Sequence, residues 1–365
     1  MAGRHLYFAM ATKLAPSLNE LPQLLHGESA VAMATLVAAT GSTSKKIGAK
    51  MWVGASGRIL GGVTIGGCVD ARVIEAADDV VKSGRRALID ISLDDDEAWE
   101  IGLTCGGNVE VLVEPVSPND EDDPILAAYS AVCDALTEDD TAVVATVLDG
   151  GGNRLVASPS GVVRGTLGDA LLDGAVADRA SEMADRGSST TERLSSASGD
   201  RRVYLERHAP PAVVVIVGAG QIAMSLSRFA HELEMRTVIV DGRPRYATSE
   251  RFPDADEIHV GMPSEIVAGI GPGRNAAIVL VAHDYKYELP ILRSVLRSPV
   301  GYVGLLGSRK RGAAVREMLA DEGYTAEELS RIRTPIGLDI GGSTPAEIAL
   351  AILGEIVAVR HGRVK

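Results

Sequence analysis

The chain has 365 residues, 46% hydrophobic and 23% charged, which is typical of a globular protein and predicts two or three domains. Its net charge of −13 argues against nucleic acid and anionic membranes as partners, because such a surface repels phosphate. No apolar run approaches the ~18 residues of a membrane helix, and three cysteines are too few for a disulfide framework, so a cytoplasmic protein is predicted.

The first predicted elements surround a thiol. Residues Met51–Val73 are predicted to form a strand, a tight turn, a second strand and the start of a helix that continues to Lys82. Cys68 follows Gly66 and Gly67 at the helix start, where exposed N–H groups and the helix dipole favour a thiolate that ligates metals or attacks sulfur. The alternative is close packing of small residues around a thiol that acts as a small apolar group.

A second thiol, Cys105, precedes the strand predicted over Asn108–Glu114. Its neighbours Gly106 and Gly107 permit close approach of a large ligand, although the same packing alternative applies. Cys133 lies on the apolar stripe of a predicted helix, which indicates a core position. No pair of cysteines has the spacing of a structural zinc site.

Three lysines, Lys45, Lys46 and Lys50, lie just before the first predicted strand pair. In an acidic chain this cluster predicts a binding place for an anionic ligand. A solvated turn explains it equally well.

The strand, turn, strand and helix pattern recurs at Leu155–Val176. Ser56-Gly57 corresponds to Ser160-Gly161, and Gly61 to Gly165. Nothing in the second copy corresponds to the Gly-Gly-Cys sequence of the first. Shared residues are therefore expected to serve the fold, and the unshared thiol to serve chemistry.

A domain boundary is predicted near residue 210. Residues Gly187–Asp200 are rich in Ser, Thr and Gly and are expected to be irregular and flexible, before a last strand over Arg202–Glu206. Pro210-Pro211 cannot continue a helix or a central strand. We therefore predict an N-terminal α+β domain with an internal pseudo-repeat over residues 1–209, and a second domain over 210–365.

The second domain alternates predicted strands and helices, which indicates an α/β fold with a Rossmann-type, doubly wound parallel sheet. A capping box is expected to begin its last helix at Thr344. The predicted strands are Val213–Val217, Thr237–Val240, Ala277–Val281 and Gly301–Leu305, and the predicted helices are Gln221–Leu233, Leu289–Leu296 and Arg309–Glu322.

The loop between the first strand and helix of this domain has the dinucleotide-binding pattern. Gly218 permits the tight turn, and Gly220 lets the backbone approach a pyrophosphate, with Gln221 and Ile222 opening the helix. The same loop at a helix N-terminus also holds other phosphates.

Polar residues follow other strands of the same sheet. Asp241 is placed to hydrogen-bond a ribose hydroxyl of NAD, whereas Arg243 and Arg245 are close enough to accommodate the extra phosphate of NADP, and both cofactors stay open. His283 is expected either to orient a ligand or to lie in a plain surface pair with Asp284. The last group, at a strand end where ligands usually bind, is Gly307, Ser308 and Arg309.

Five motifs, in this order, resemble those of the XdhC/CoxI family, the accessory proteins of xanthine dehydrogenase and related molybdenum hydroxylases. The resemblance covers about residues 20–360. Two departures, Ser44–Ile47 in place of a proline-rich Pro-Arg segment and Gly342-Ser343 in place of Ala-Arg, could alter the anion pocket. The motifs are Gly66-Gly67-Cys68, Leu103–Gly107, Val217–Gly220, Leu306–Arg309 and Gly337–Glu347.

The resemblance implies a chaperone that binds molybdenum cofactor, supports its sulfuration by a cysteine desulfurase and delivers it to a client hydroxylase. It makes Cys68 and Cys105 candidates for handling sulfur or cofactor. Cys68 is the stronger candidate as metal ligand, because it lies at a helix start and the second copy of the repeat has no cysteine there. A homodimer is expected.

Two other functions stay open. A soluble NAD(P)-dependent oxidoreductase would need a proton donor near the nicotinamide, and His283 is its sole candidate in the sequence. A nucleotide-sensing scaffold without chemistry is the third. A self-sufficient dehydrogenase is not expected, because the thiols that look activated lie in the other domain.

Overall fold

The structure, a computed structural model, describes residues 21, 25–41, 47–54, 57–62, 67–93, 107–184, 187–282 and 284–363. The chain divides into two compact units, Met1–Pro210 and Pro211–Lys365.

The first unit contains two antiparallel five-stranded sheets with the same topology. Sheet 1 has the order β3-β2-β1-β5-β4 and sheet 2 the order β8-β7-β6-β10-β9, and helix α2 (Pro124–Thr137) connects them. The elements of sheet 1 are β1 (Val31–Gly41), β2 (Lys50–Val53), β3 (Ile59–Gly62), helix α1 (Gly67–Ser83), β4 (Ala87–Leu93) and β5 (Gly107–Val116). Those of sheet 2 are β6 (Ala142–Val147), β7 (Arg154–Ser158), β8 (Gly161–Gly165), helix α3 (Ala170–Met183), β9 (Thr190–Ser196) and β10 (Gly199–His208).

The predicted internal repeat therefore extends over both sheets and over helices α1 and α3. The strand register shows which residues of the two copies are equivalent. Thr35 lies opposite Lys50 in sheet 1, and Thr146 lies opposite Arg154 at the same place in sheet 2. One predicted correspondence shifts by a residue. The partner of Gly165 is Gly62 and not Gly61, because both have positive φ angles, 82° and 90°, opposite the start of the preceding strand.

The two sheets face each other. Their inner faces share a core with α2 that includes Met33, Trp52 and Val144. Helix α1 packs on the outer face of sheet 1, and α3 packs on the outer face of sheet 2. Each sheet is thus covered on both sides, which explains why β6 is buried along its whole length.

The expectation that Gly187–Asp200 is irregular and flexible is corrected. Most of this stretch forms β9 and the start of β10, which pair in antiparallel register from Gly199↔Ser196 to Leu205↔Thr190. Because β9 is an edge strand that faces solvent along much of its length, its polar residues resemble a linker in the sequence. The predicted strand Arg202–Glu206 is part of β10.

The second unit confirms the predicted doubly wound parallel sheet, with strand order β13-β12-β11-β14-β15-β16. Helices cover both faces, which explains the apolar run of β11. The strands are β11 (Val213–Val217), β12 (Arg236–Asp241), β13 (Glu257–Val260), β14 (Ala276–Leu280), β15 (Tyr302–Leu305) and β16 (Ile332–Arg333). The helices are α4 (Gln221–Glu232), α5 (Pro263–Ile270), α6 (Tyr285–Val295), α7 (Arg309–Asp321), α8 (Ala326–Ser330) and α9 (Pro345–Arg360).

The capping box predicted before the last helix is present. The Thr344 side chain accepts from the backbone N–H of Glu347, and the Glu347 carboxylate accepts from the N–H of Thr344. The sequence missed β13, α5, α8 and β16, which are short elements.

Candidate functional site

Helix α1 places Cys68 in its first turn, directly after its first residue, Gly67. The first N–H groups of a helix have no partner within the helix. Neither Gly66, which precedes the helix, nor Gly67 has a side chain that could accept from them. The start of α1 therefore places a cysteine next to backbone N–H groups that have no partner within the helix.

In copy two of the repeat, which contains sheet 2, a carboxylate caps the corresponding helix start. Copy one contains sheet 1. Asp169 caps α3, and its Oδ1 accepts from the N–H groups of Leu171 at 3.0 Å and Leu172 at 3.1 Å. Its Oδ2 accepts from the N–H of Ala197, in the β9–β10 turn, at 2.8 Å. An internal anion thus occupies in copy two the position that copy one leaves to glycine.

The two copies also differ in the connection between their last two strands. In sheet 2, Ser196 pairs with Gly199, so two residues make the turn. In sheet 1, Leu93 pairs with Gly107 at the equivalent place, and residues 94–106 form the connection. This longer segment carries Cys105.

Several predicted site residues lie outside the described part of the chain. They are Lys45, Lys46, Gly66, Cys105, Gly106 and His283. Of the others in this domain, Gly107 is the first residue of β5.

Lys50 is a correction, because it does not offer an exposed ammonium to an anionic ligand. Its side chain is only 4% exposed, and its Nζ lies 2.9 Å from Glu206 Oε1 and donates to Thr35 Oγ1 at 3.1 Å. Its positive charge is neutralised within a buried ion pair.

The glycine loop of the second unit follows β11 and opens α4. Gly218 has a φ of 109°, and a Cβ there would lie 2.8 Å from the Cα of Ala282, just after the neighbouring strand β14. The backbone at this place therefore leaves no space for a side chain at position 218. Gly220 is the N-cap of α4, and apart from its chain neighbours no atom of the described residues lies within 4 Å of the place that a Cβ would take. Gln221 and Ile222 form the first turn. Gly218 is thus needed for the fold, whereas Gly220 leaves space at the start of the helix.

Asp241 ends β12 beside this loop, and hydrogen bonds occupy both of its oxygens. Oδ2 accepts from Ala219 N–H at 2.7 Å and from Arg243 Nη2 at 2.8 Å. Oδ1 accepts from Arg243 N at 2.8 Å and Nε at 2.9 Å. Burial raises the pKa of this carboxyl, but these donors outweigh it and hold the pKa below its usual range.

The third group at this edge of the sheet follows β15. Ser308 caps α7 by accepting from Arg311 N–H at 3.3 Å, and Arg309 is exposed in the first turn. Gly307 packs against the side chain of Arg311, which pairs with the buried Glu288. Asp284, the neighbour of His283, is the N-cap of α6.

Since β11, β12, β14 and β15 are parallel, their carboxyl ends share one edge of the sheet. The glycine loop, Asp241 and Gly307–Arg309 therefore lie along the edge where doubly wound folds bind ligands. Sequence reasoning missed Tyr246 and Arg251, which belong to this edge. The Arg251 guanidinium donates to the carbonyl of Ala219 at 3.0 Å and lies 5.3 Å from the Tyr246 ring centroid.

Within the described ranges, no group of three or more His, Cys, Asp or Glu side chains is arranged to hold a metal ion. None of the described helices has the length and apolar character of a membrane span.

Comparison with family models finds two matches. A model described as the XdhC Rossmann domain matches residues 214–356, and one described as the XdhC and CoxI family matches residues 24–92. Together they cover more than half of the chain.

Curated relatives and a solved structure extend over nearly the whole chain. A Bacillus subtilis protein described as a probable subunit of xanthine dehydrogenase is 26% identical over 93% of this chain and 96% of its own. "Molybdenum cofactor insertion chaperone PaoD" of Escherichia coli is 24% identical over 92% of this chain and 85% of its own. The crystal structure of a protein described as a xanthine dehydrogenase from Bacillus halodurans aligns with a TM-score of 0.74 at 24% identity, over 95% of this chain and 96% of its own, and shows the same fold.

Proposed function

Because the chain belongs to the XdhC and CoxI family, we propose that it binds molybdenum cofactor, supports its sulfuration by a cysteine desulfurase and delivers it to a xanthine dehydrogenase-type hydroxylase. The name of the Escherichia coli relative, a molybdenum cofactor insertion chaperone, supports the proposal that this chain binds molybdenum cofactor. The name of the Bacillus subtilis relative supports a xanthine dehydrogenase as the type of client enzyme.

The observation that carries the proposal is the difference between the two helix starts of the first unit. In copy two, Asp169 satisfies the free donors of α3 from within the chain. In copy one, glycine stands at the start of α1, and Cys68 is the next residue. Because one copy has an internal carboxylate at its helix start and the other has glycine followed by a thiol, we infer that the second of these helix starts binds an external anion.

The same comparison supports a role for Cys105. In copy two, the turn between the last strands meets the helix start through the bond from Ala197 to Asp169. The strands that flank residues 94–106 end at the equivalent pair, Leu93 and Gly107. We therefore propose that Cys105 and Cys68 contribute to one site, and that Gly66, Gly67, Gly106 and Gly107 let a ligand approach the backbone there.

This donor set fits the cofactor, which is anionic through its phosphate and has a metal that accepts sulfur ligands. When bound, the cofactor supplies the redox-active metal of the client enzyme. The chain's own residues would bind and orient it: the α1 N–H groups would hold negative charge, and the thiolates would contact the metal centre or carry sulfur.

In the same proposal the second unit binds a phosphate-bearing nucleotide. Gly220 and the start of α4 supply the phosphate cradle, and the edge residues Gly307–Arg309 supply further donors and positive charge. A homodimer belongs to the proposal as well. Leu338, Ile340 and Leu350, apolar side chains 38%, 51% and 57% exposed, support it.

Anaerobic cofactor titration of three single variants tests the thiol site. Cys68→Ala and Cys105→Ala should each weaken cofactor binding and lower the transfer of cofactor to an apo-hydroxylase. Cys133→Ala is the matched control, because this thiol is half-buried on α2 and its pKa is raised to about 11, mainly by burial. Undiminished binding in both Cys68→Ala and Cys105→Ala would refute the thiol site.

An NAD(P)-dependent oxidoreductase is the alternative, and the ligand-binding edge of the second unit favours it. The purified, cofactor-free chain should nevertheless show no NAD-linked turnover of hypoxanthine or xanthine. Robust NAD reduction by this preparation, without a client enzyme, would support the oxidoreductase instead.

A further inference from the structure

The carboxylate of Asp241, at the end of β12, has no acceptor position left for a hydrogen bond from a ribose hydroxyl. A carboxylate offers about four acceptor positions on its two oxygens. Asp241 uses two on each oxygen, for Ala219 N–H and for the backbone N–H, Nε and Nη2 of Arg243. In an NAD site the equivalent acid hydrogen-bonds the ribose 2′-hydroxyl. Here a ribose hydroxyl would have to displace a charge-assisted bond to reach Asp241.

The guanidinium that occupies Asp241 is itself fixed and accessible. Arg243 meets the carboxylate through Nε and Nη2, and its Cζ lies 4.1 Å from the ring centroid of Tyr246. Its side chain is 55% exposed. Two of its five side-chain N–H donors point to Asp241, and the other three have no hydrogen-bond partner among the described residues, so they can make a planar, two-pronged contact with phosphate.

The surroundings of Arg243 favour an anion. The turn Gly242–Thr248 contains Arg243 and the exposed Arg245 but no acidic residue. Arg251 joins this turn to the glycine loop, because its Nη1 bridges the carbonyl of Tyr246 at 2.6 Å and that of Ala219 at 3.0 Å. Arg243 therefore contacts the carboxylate directly, Arg251 contacts the adjacent glycine loop, and Arg245 follows Arg243 by two residues in the exposed turn.

We propose that this edge selects a nucleotide with a 2′-phosphate on its adenosine ribose, NADP rather than NAD, and that Arg243 is the residue that decides the preference. The inference rests on the proposed nucleotide-binding role of the second unit. It does not depend on cofactor transfer, because it concerns nucleotide affinity alone. Asp241 acts as a positioning residue that holds the guanidinium toward the phosphate.

Calorimetric titration of the full chain with NADP, NAD, adenosine 2′,5′-bisphosphate and 5′-ADP tests this. We expect NADP to bind at least about tenfold more tightly than NAD, the effect of roughly one charge-assisted contact. The bisphosphate should exceed 5′-ADP by a similar factor. In Arg243→Ala, affinity for NADP should fall while affinity for NAD stays equal or rises, because Asp241 becomes free to accept from the ribose.

This opposite response separates a specificity residue from a merely structural one, since a folding defect would weaken both ligands. Arg228→Ala is the matched control, because it removes an exposed arginine from α4 of the same unit. Equal or tighter binding of NAD by the wild-type chain, no binding of either cofactor, or parallel losses in Arg243→Ala would each overturn the proposal. A chain that prefers NADP but fails to mature a client hydroxylase would sink only the proposed chaperone function.

Discussion

Glu114 and Glu206 hold equivalent positions in the two copies of the first unit, and each carboxylate is neutralised by a cation of the other copy. Lys50 of copy one pairs with Glu206 at 2.9 Å, and Arg154 of copy two pairs with Glu114. All four side chains are less than a tenth exposed. The duplicated sheets are therefore joined by two exchanged, buried ion pairs as well as by their apolar inner faces.

Breaking one of these pairs should strongly destabilise the first unit. Lys50→Met leaves Glu206 buried without its lysine, which we expect to lower the free energy of unfolding by about 3–5 kcal/mol. Arg58→Ala removes an exposed cation, 68% accessible, from its pair with Glu28 and should cost no more than about 1 kcal/mol. Urea denaturation followed by tryptophan fluorescence measures both, because both tryptophans lie in the first unit. Similar losses in the two variants would show that burial of the pair is unimportant.

The same carboxylate makes the first unit sensitive to acid. Burial raises the pKa of Glu206, but electrostatic interactions and hydrogen bonds with Lys50 and His208 outweigh this effect and hold the pKa far below its usual range. A depressed pKa contributes stability that is complete above the unfolded value of about 4.3 and is lost as pH falls below it. The urea midpoint should therefore fall between about pH 6 and about pH 3 more steeply in the wild type than in Glu206→Gln. Parallel curves would contradict this assignment.

The turn glycines should be intolerant of a side chain. Gly165 has a φ of 82°, and a Cβ there would collide with the carbonyl oxygen of Arg154, so Gly165→Ala should destabilise the first unit by more than about 1 kcal/mol. Gly174→Ala is the control, because this glycine lies inside α3 with open space around it and should stabilise the helix by about 0.5–1 kcal/mol. Thermal unfolding of both variants gives the comparison, and losses in both would count against the collision.

The two glycines of the nucleotide loop should separate folding from binding. Gly218→Ala forces a Cβ against Ala282 and should lower the thermal midpoint of the second unit. Gly220→Val fills open space, so the midpoint should change little while nucleotide affinity falls steeply. Differential scanning calorimetry and titration with NADP check the two effects. A Gly220→Val variant that binds normally would leave this loop without a ligand role.

Prediction from sequence succeeded where local pattern and burial coincide. Val213–Val217 is a strand with the predicted bounds because its apolar run is buried between two helix layers. Prediction from sequence failed where a residue's structure depends on a contact with a residue that is distant in the chain. Lys50 resembles part of a surface cluster until Glu206 is brought beside it, and Gly187–Asp200 resembles a linker until β9 pairs with β10.

The candidate site shows the same division. The position of Gly220 at a helix start follows from the order of strand, glycines and helix, and the structure has it there. The occupation of Asp241 by Arg243 is a matter of side-chain geometry, which spacing alone does not determine. Whether Cys68 and Cys105 share one site stays a prediction.

The exchanged ion pairs also matter during synthesis of the chain. Lys50 is translated long before Glu206, so the first sheet leaves the ribosome with a lysine that is buried in the folded protein and without the carboxylate that pairs with it. Its inner face has no partner surface until the second sheet follows. Until the second copy is translated, the first sheet therefore exposes an apolar face and an unpaired lysine, which are the features that make partly synthesised chains prone to aggregate.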